Sequence, residues 1–448
     1  MTRPEKHSTP QVSRSSMIVA ALSTVVEWYD FTLYLYFATV LSRVFFGGGE
    51  NSLLATLGGF AISYAMRPFG AMVFGHIGDR LGRRRTLLLS MMLMTLAMLA
   101  TALLPDYAAI GPAAGVLLIL LRCLMAFSVG GEYTGVVAYL LEGARPDRRG
   151  LITSLASAAS EIGALLAVAL SALTVALMSA AHLDAWGWRI PFFVGAALAG
   201  CVWFARSTMQ ESPDFLRQVR QHTVPDAPLR HTLAHHKPAL LRTFAISALG
   251  SITYYVGITY VPAFLTSSGI LAEGRSLWMS SGAAVAVILV TPLAGALSDR
   301  VGRKPVLIAF AFASMLLPLA MFGLMGGGGD LAIAGGAIVL ACLAGGVSAV
   351  GAPATAEQFP GEGRLSGLAL GVTMATAIFG GLTPFLAELL VQQTGWNAVP
   401  GAMIAAVALV VLPAFLTMPE TRPGWHVTKT HRATNSLLSD DQADGGTR

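Results

Sequence analysis

Two stretches decide how this chain folds: GHIGDRLGRRR (Gly75–Arg85) and GALSDRVGRK (Gly295–Lys304). They align with Asp79 on Asp299, Arg80 on Arg300, Gly82 on Gly302, Arg83 on Arg303 and Arg84 on Lys304. Around them the chain is apolar. Of 448 residues 54% are hydrophobic and 12% charged, where a soluble domain carries about a quarter charged residues. Apolar runs of about 20 residues, long enough to cross a bilayer core of about 30 Å, recur from Met17 to Met418. The charged repeats therefore stand in loops between membrane spans, and their recurrence means a duplicated unit.

Twelve spans follow from the apolar runs, at roughly 17–42, 52–75, 86–105, 113–140, 151–178, 189–206, 239–266, 276–297, 305–325, 331–355, 365–391 and 398–418. The first run is too long and too aromatic for a cleaved signal peptide. Lys and Arg crowd alternate loops (Arg80 to Arg85, Arg145 to Arg149, Arg206 to Arg242, Arg300 to Lys304, Arg364), while the others hold only Arg43, Arg189 and Arg275. This bias places both termini in the cytoplasm. The expectation is an all-α polytopic membrane protein of two pseudo-symmetric six-helix bundles, 17–206 and 239–418. A cytoplasmic tail (1–16), a polar cytoplasmic loop (207–238) and a disordered cytoplasmic tail (419–448) complete it. A second echo supports the duplication, because Glu142 and Arg149 stand seven apart after the fourth span, as do Glu357 and Arg364 after the tenth.

The basic balance, formally +5, is dispersed over short loops and reads as a topology signal, which argues against a nucleic-acid partner. Cys123, Cys201 and Cys342 each sit alone in apolar runs and suggest neither a disulfide framework nor a metal site. No nucleophile–base pair or phosphate-cradling loop is visible, which argues against an enzyme and implies no cofactor beyond a coupling ion.

Ionisable groups inside spans cost about 2.5–3.5 kcal/mol each on insertion scales, so they are functional candidates by default. In EWYDFTLY of the first span Glu27, Asp30 and Tyr34 share one helical face, and Glu27 lies about 15 Å from the cytoplasmic start. Arg67 lies in the second span, Arg122 and Glu132 in the fourth, and Glu161 in mid-fifth. The simplest arrangement pairs carboxylates with arginines across the first, second and fourth spans, either as a static structural network or as a proton-coupling site. The second half has almost no central charge, only Glu388 near the outer end, and offers Tyr254 and Tyr255 as cavity candidates.

The complete loop signature Gly75, Asp79, Arg80, Gly82, Arg83, Arg84, Arg85 resembles that of the major facilitator superfamily. The resemblance implies two six-helix halves with a substrate cavity between them near mid-membrane. On that reading Asp79, Arg80, Arg83, Glu142, Arg149, Asp299, Arg300, Arg303, Glu357 and Arg364 form a cytoplasmic gate. The alternative is that the arginines only fix topology, but the Asp and Gly placements recur as well. The first half is further similar to the metabolite:proton symporter family in EWYDF, MRPFGAMVFGHIGDRLGRR, FSVGGEYTG and WGWRIPFF. Arg122 survives from that family's fourth-span pattern, while Met125 and Ala126 replace its Gln and Gly.

The implied function is a proton-coupled symporter in a bacterial inner membrane, acting as a monomer and taking up a small carboxylate-bearing metabolite. Its arginines suit a carboxylate through bidentate bonding. A zwitterionic osmolyte held by Trp28, Tyr29, Tyr34 and Tyr254 is the alternative, and a non-transporting nutrient sensor a remoter one. The proton-coupling and substrate-binding candidates are thus Glu27, Asp30, Tyr34, Arg67, Arg122, Glu132, Glu161, Tyr254 and Tyr255.

Overall fold

The computed structural model describes residues 14–81, 83–130, 132–208, 211, 216, 219–220, 233–359 and 364–423, without the side chains of 14–17, 78–83, 142–143 and 364. Every regular element among them is helical. With no water in a bilayer core, each span must satisfy its own backbone, which only helices or closed barrels achieve.

Six helical spans make the first half. These are α1 (Arg14–Tyr36, continued by Ala38–Phe46), α2 (Ser52–Tyr64, continued by Met66–Leu81), α3 (Arg83–Ala102), α4 (Ala113–Val129, continued by Glu132–Gly143), α5 (Arg149–Leu177) and α6 (Arg189–Arg206). The second half repeats the order. It comprises α7 (Lys237–Tyr254, a π-helical turn Tyr255–Thr259, then Val261–Ser267), α8 (Glu273–Val301), α9 (Arg303–Gly327), α10 (Asp330–Ala356), α11 (Arg364–Thr376, a π-helical turn Ala377–Gly381, then Thr383–Thr394) and α12 (Val399–Thr417). An even number of spans leaves α1 and α12 beginning and ending on the same face, called here the terminal rim.

Proline sets the irregularities. Pro262 cannot donate to the carbonyl of Ile258, nor Pro384 to that of Gly380, and each stands one turn beyond a π-helical segment. The Tyr260 amide reaches the Tyr255 carbonyl instead, at 2.9 Å. Pro68 likewise leaves the Tyr64 carbonyl without its donor, and α2 steps at Ala65 just before Arg67. Such bulges mark places where a long helix can bend.

The halves meet where α5 runs along α8 and α10, and where α2 runs along α11. Within the first half, two glycines allow α2 and α4 to cross at backbone distance. A Cβ on Gly70 would strike the Phe127 carbonyl, and one on Gly130 would strike the Arg67 carbonyl. The MRPFG and SVGG stretches thus exist together because each requires the other. At Gly163 a Cβ would collide with the Val25 carbonyl, so this residue sets the spacing of α1 and α5.

Gly163→Val is expected to wedge α1 from α5 and lower stability by about 1–3 kcal/mol, the usual penalty of overpacking. Gly135 of α4 faces open space, and Gly135→Ala is expected to be neutral or slightly stabilising. Thermal melting of the two purified variants in detergent, compared with the parent, checks both.

Candidate functional site

A cavity enclosing about 820 Å³ of atom-free space, its open mouth included, lies between the halves. The first half supplies Glu27 and Trp28 from α1, Arg67 from α2, and Gly130 and Tyr133 from α4. Tyr254 and Tyr255 come from α7, Ser348 from α10, and Thr373 and Thr376 from α11. On α4, α10 and α11 the lining residues lie toward the terminal-rim end of the helix. Tyr255 of this lining also bonds across the halves, its hydroxyl 2.7 Å from that of Tyr64.

Glu27 and Arg67 face each other in this cavity, with 3.6 Å between Oε1 and Nη2. The guanidinium lies over the rings of Phe31 and Tyr64, at 4.0 and 4.5 Å. Neither oxygen of Glu27, nor Nε of Arg67, makes a hydrogen bond. A buried pair this incompletely satisfied can accept a further polar group between or beside its members. Trp28 stands next to it, edge-on to Tyr133 at 6.1 Å and to Tyr254 at 4.8 Å, and stacked on Tyr255 at 6.3 Å.

The other charges of the first half lie off the cavity wall. Arg122 forks onto Asp30, with Nη1 at 3.1 Å from Oδ1 and Nη2 on Oδ2. Tyr34 lies beneath that guanidinium, 5.2 Å from the ring centroid, and donates its hydroxyl to the Thr56 carbonyl at 2.9 Å. Glu132 accepts from Arg206 at 2.7 Å and from Ser90 at 2.8 Å. Arg206 is the partner that the sequence reading did not find, because it ends the sixth apolar run where a solvated loop arginine is usual. It is buried, 1% exposed. Glu161 is buried on α5 beside Tyr254 of the second half, outside the cavity lining. Glu388 is held by Tyr260, Ser267 and Gln392 at 2.6, 3.1 and 2.9 Å.

Comparison with known proteins settles the family. A model described as "Sugar (and other) transporter" matches residues 16–234, and one for the Major Facilitator Superfamily matches residues 271–441. A proline/betaine transporter of Salmonella typhimurium is 30% identical over 91% of this chain and 84% of its own length. The chain belongs to the major facilitator superfamily. A citrate-proton symporter of Klebsiella pneumoniae is 31% identical, over 87% of this chain and 88% of the relative. An alpha-ketoglutarate permease of Escherichia coli is 30% identical, over 90% and 92%. These relatives fit the metabolite:proton symporter branch of the superfamily. The fold matches that of the partially occluded, inward-open xylose transporter XylE from E. coli, with a TM-score of 0.72 at 17% identity over 91% of this chain and 99% of that one. The protein is a multi-pass transporter and not an enzyme.

At the terminal rim of this transporter the repeated motif acts across the halves through backbone groups. Asp299 accepts from the amides of Gly150 and Leu151, both at 2.8 Å, and so caps the N-terminus of α5. Free amides and the helix dipole make such a terminus an anion site. Glu357 pairs within its own half, with Arg303 Nε at 3.3 Å, while Arg303 also holds Asp299 at 2.8 Å. Burial pushes the Glu357 carboxyl above its ordinary range, and Arg303 chiefly pulls it back. Arg149 adds a smaller pull on the same carboxyl, and Arg300 is exposed. The side chains of Asp79, Arg80, Arg83, Glu142 and Arg364 lie outside the described residues.

Two capping glutamates had no place in the sequence reading. Glu420 accepts from the amides of Arg303 and Lys304 at 2.9 and 3.0 Å, and Glu211 from that of Arg84 at 3.3 and 3.2 Å. Each follows the last span of its half and caps the third. The stretch expected to be a disordered tail from 419 is therefore held against the rim up to Arg422, whose guanidinium bonds the Arg300 carbonyl at 2.6 Å. The signal was present as MQE (209–211) and MPE (418–420), a third echo between the halves. At the opposite rim Arg43 binds Asp184 at 3.1 Å and, across the halves, Glu273 at 3.3 Å.

Arg122→Ala is expected to destabilise the transporter by about 3–5 kcal/mol, because it strands the buried charge of Asp30. Asp30→Leu combined with Arg122→Met is expected to recover most of that loss. A double-mutant cycle read by thermal melting in detergent tests the pairing, and additive single effects would contradict it.

Proposed function

We propose that this chain is a proton-coupled symporter that takes up a small carboxylate-bearing metabolite, with Arg67 and Glu27 at the centre of coupling. The observation that carries the reading is the incompletely bonded Glu27–Arg67 pair on the wall of a cavity shared by both halves. A substrate carboxylate that engages Arg67 in bidentate fashion competes with Glu27 for the same guanidinium. Glu27 is then left as an uncompensated charge in a dry site, and taking up a proton relieves that cost. Substrate and proton thereby arrive together. The names of two relatives, a citrate-proton symporter and an alpha-ketoglutarate permease, agree with an acid substrate.

The walls specify more than charge. Arg67 is the one guanidinium among the described lining residues, which favours a single carboxylate over a cluster of them. Trp28, Tyr133, Tyr254 and Tyr255 present aromatic surface beside Glu27. That composition also suits a zwitterion whose cationic end rests on the rings, in keeping with the proline/betaine relatives. Alternating access is a rocking of the halves. Arg43 with Glu273 ties the halves together at the opposite rim, and the Asp299 cap ties α5 to α8 at the terminal one. By the distribution of Lys and Arg, the terminal rim is cytoplasmic in a bacterial inner membrane, and the transporter works as a monomer.

Proteoliposomes carrying the purified chain are tested for uptake of labelled citrate, 2-oxoglutarate, shikimate, proline and glycine betaine, with and without an inward proton gradient. An acid or a zwitterion is expected to accumulate only with the gradient. Arg67→Ala is expected to remove binding, and Glu27→Gln to uncouple transport from the gradient. Absence of gradient-driven flux for the whole panel would overturn the proposal.

A further inference from the structure

Glu161 escapes the rule that governs its neighbours. Glu27, Asp30 and Glu132 each face an arginine, whereas Glu161 makes no ion pair among the described residues, and its Oε2 makes no hydrogen bond. The titratable groups facing it are all tyrosines: Tyr36 from α1, Tyr133 from α4, and Tyr254 and Tyr255 from α7. Two of these are themselves unsatisfied. The hydroxyls of Tyr36 and Tyr254 are buried without a hydrogen-bond partner, although Tyr254 stands directly beside Glu161. Unmade polar groups are rare in a native interior. A cluster of them at one place marks a polar path, large enough in its demand for hydrogen bonds to draw in water.

The ends of the cluster give it a direction. Tyr36 lines a second, smaller space near the opposite rim, together with Thr39 and Glu273. Tyr254 lines the central cavity with Glu27. Glu273, Tyr36, Glu161 and Tyr254 thus form a file from the opposite rim to the cavity, drawn from α8, α1, α5 and α7. Glu273 is tied to the rim by Thr39 and Arg43.

We infer that this file carries the coupling proton from the opposite rim to the central cavity, with Glu161 as its relay carboxylate. The inference rests on the proton-coupled reading given above. In one passage the Glu161 carboxylate accepts the hydroxyl proton of Tyr36, directly or through a water, while Tyr36 takes its replacement from the rim side. Protonated Glu161 then passes its proton to the Tyr254 hydroxyl, which releases its own into the cavity toward Glu27. One proton moves inward, each tyrosine ends neutral, and only O–H bonds form and break. Neither Tyr36 nor Glu161 lines the central cavity, so they act on proton supply and not on substrate binding.

The test uses proteoliposomes of the full chain loaded with a pH-sensitive dye, and whichever panel member the parent accumulates. Tyr36→Phe is isosteric and removes a hydroxyl that bonds to no protein group. It is expected to slow gradient-driven accumulation and dye-reported proton entry by about a hundredfold, the lower end of what a positioned proton-transfer group contributes. Substrate counterflow without a gradient, which needs no net proton movement, is expected to continue in Tyr36→Phe. Glu161→Gln is expected to abolish accumulation, and Glu161→Asp to restore part of it. Proton entry at the parental rate in Tyr36→Phe would overturn the relay, as would accumulation that persists in Glu161→Gln. A loss shared by Glu161→Gln and Glu161→Asp, counterflow included, would assign Glu161 to folding and overturn it too. A parent with no gradient-driven flux sinks the proposed function itself, which separates the two failures.

Discussion

The interaction on which the structure depends is the pairing of buried carboxylates with arginines in the first half. Three such pairs, Glu27 with Arg67, Asp30 with Arg122 and Glu132 with Arg206, join α1 to α2, α1 to α4 and α4 to α6. An isolated charge in a low-dielectric interior is prohibitively expensive, and a pair becomes tolerable only when its geometry is tight. The pairs therefore tie helices together across the interior of the half and set their relative heights. The glycine crossings serve the same end, since Arg67 reaches the cavity only because Gly70 and Gly130 let α2 and α4 touch. Of the three, Glu27–Arg67 alone is loose, and it alone lies on the cavity wall.

The second half solves the same packing problem without central ion pairs. Away from the terminal rim, Glu388 is its one buried acid among the described residues, and neutral donors surround it. What this half has instead is irregular backbone: α7 and α11 each carry a π-helical turn followed by a proline. Both turns lie at the inner face, where Tyr255 meets Tyr64 and where a Cβ on Gly381 would strike Tyr64. The division of labour follows from these two chemistries. A first half cross-linked by charge is stiff, and a second half with bulged helices can change its bend against it.

Most of the fold was legible in the sequence because hydropathy and the duplicated GxxxDRxGR loop are local signals. The site was legible only in part. Buried charges announce themselves by their cost, so Glu27, Asp30, Arg67, Arg122 and Glu132 could be named, but their partners depend on helix neighbours that no single run of residues encodes. Arg206 shows the difficulty, since its position at a span's end is compatible with solvent, and its partners, Glu132 of α4 and the Leu87 carbonyl of α3, come from other spans. The rim shows another. Sequence offers side chains as partners for Asp299, whereas the structure uses the amides of Gly150 and Leu151, which any sequence would supply at a helix start. Capping by Glu211 and Glu420 was hidden for the same reason, and only their matching places after the sixth and twelfth spans give them away.

Glu161 then becomes the residue that the pairing rule sets apart. It lies on α5, the helix that runs along both α8 and α10 of the other half and whose N-terminus Asp299 holds. An acid on such a helix that lacks a cation must draw its compensation from protons or from hydroxyls, and its neighbours are tyrosines contributed by both halves. Rocking of the halves changes the distance from α5 to α7, and with it the contact between Glu161 and Tyr254. A paired carboxylate would resist that motion, because separating it from its arginine strands a charge. An unpaired one can exchange a proton with whichever hydroxyl the rocking presents, so the absence of an arginine here is what makes the position suitable for a proton in transit.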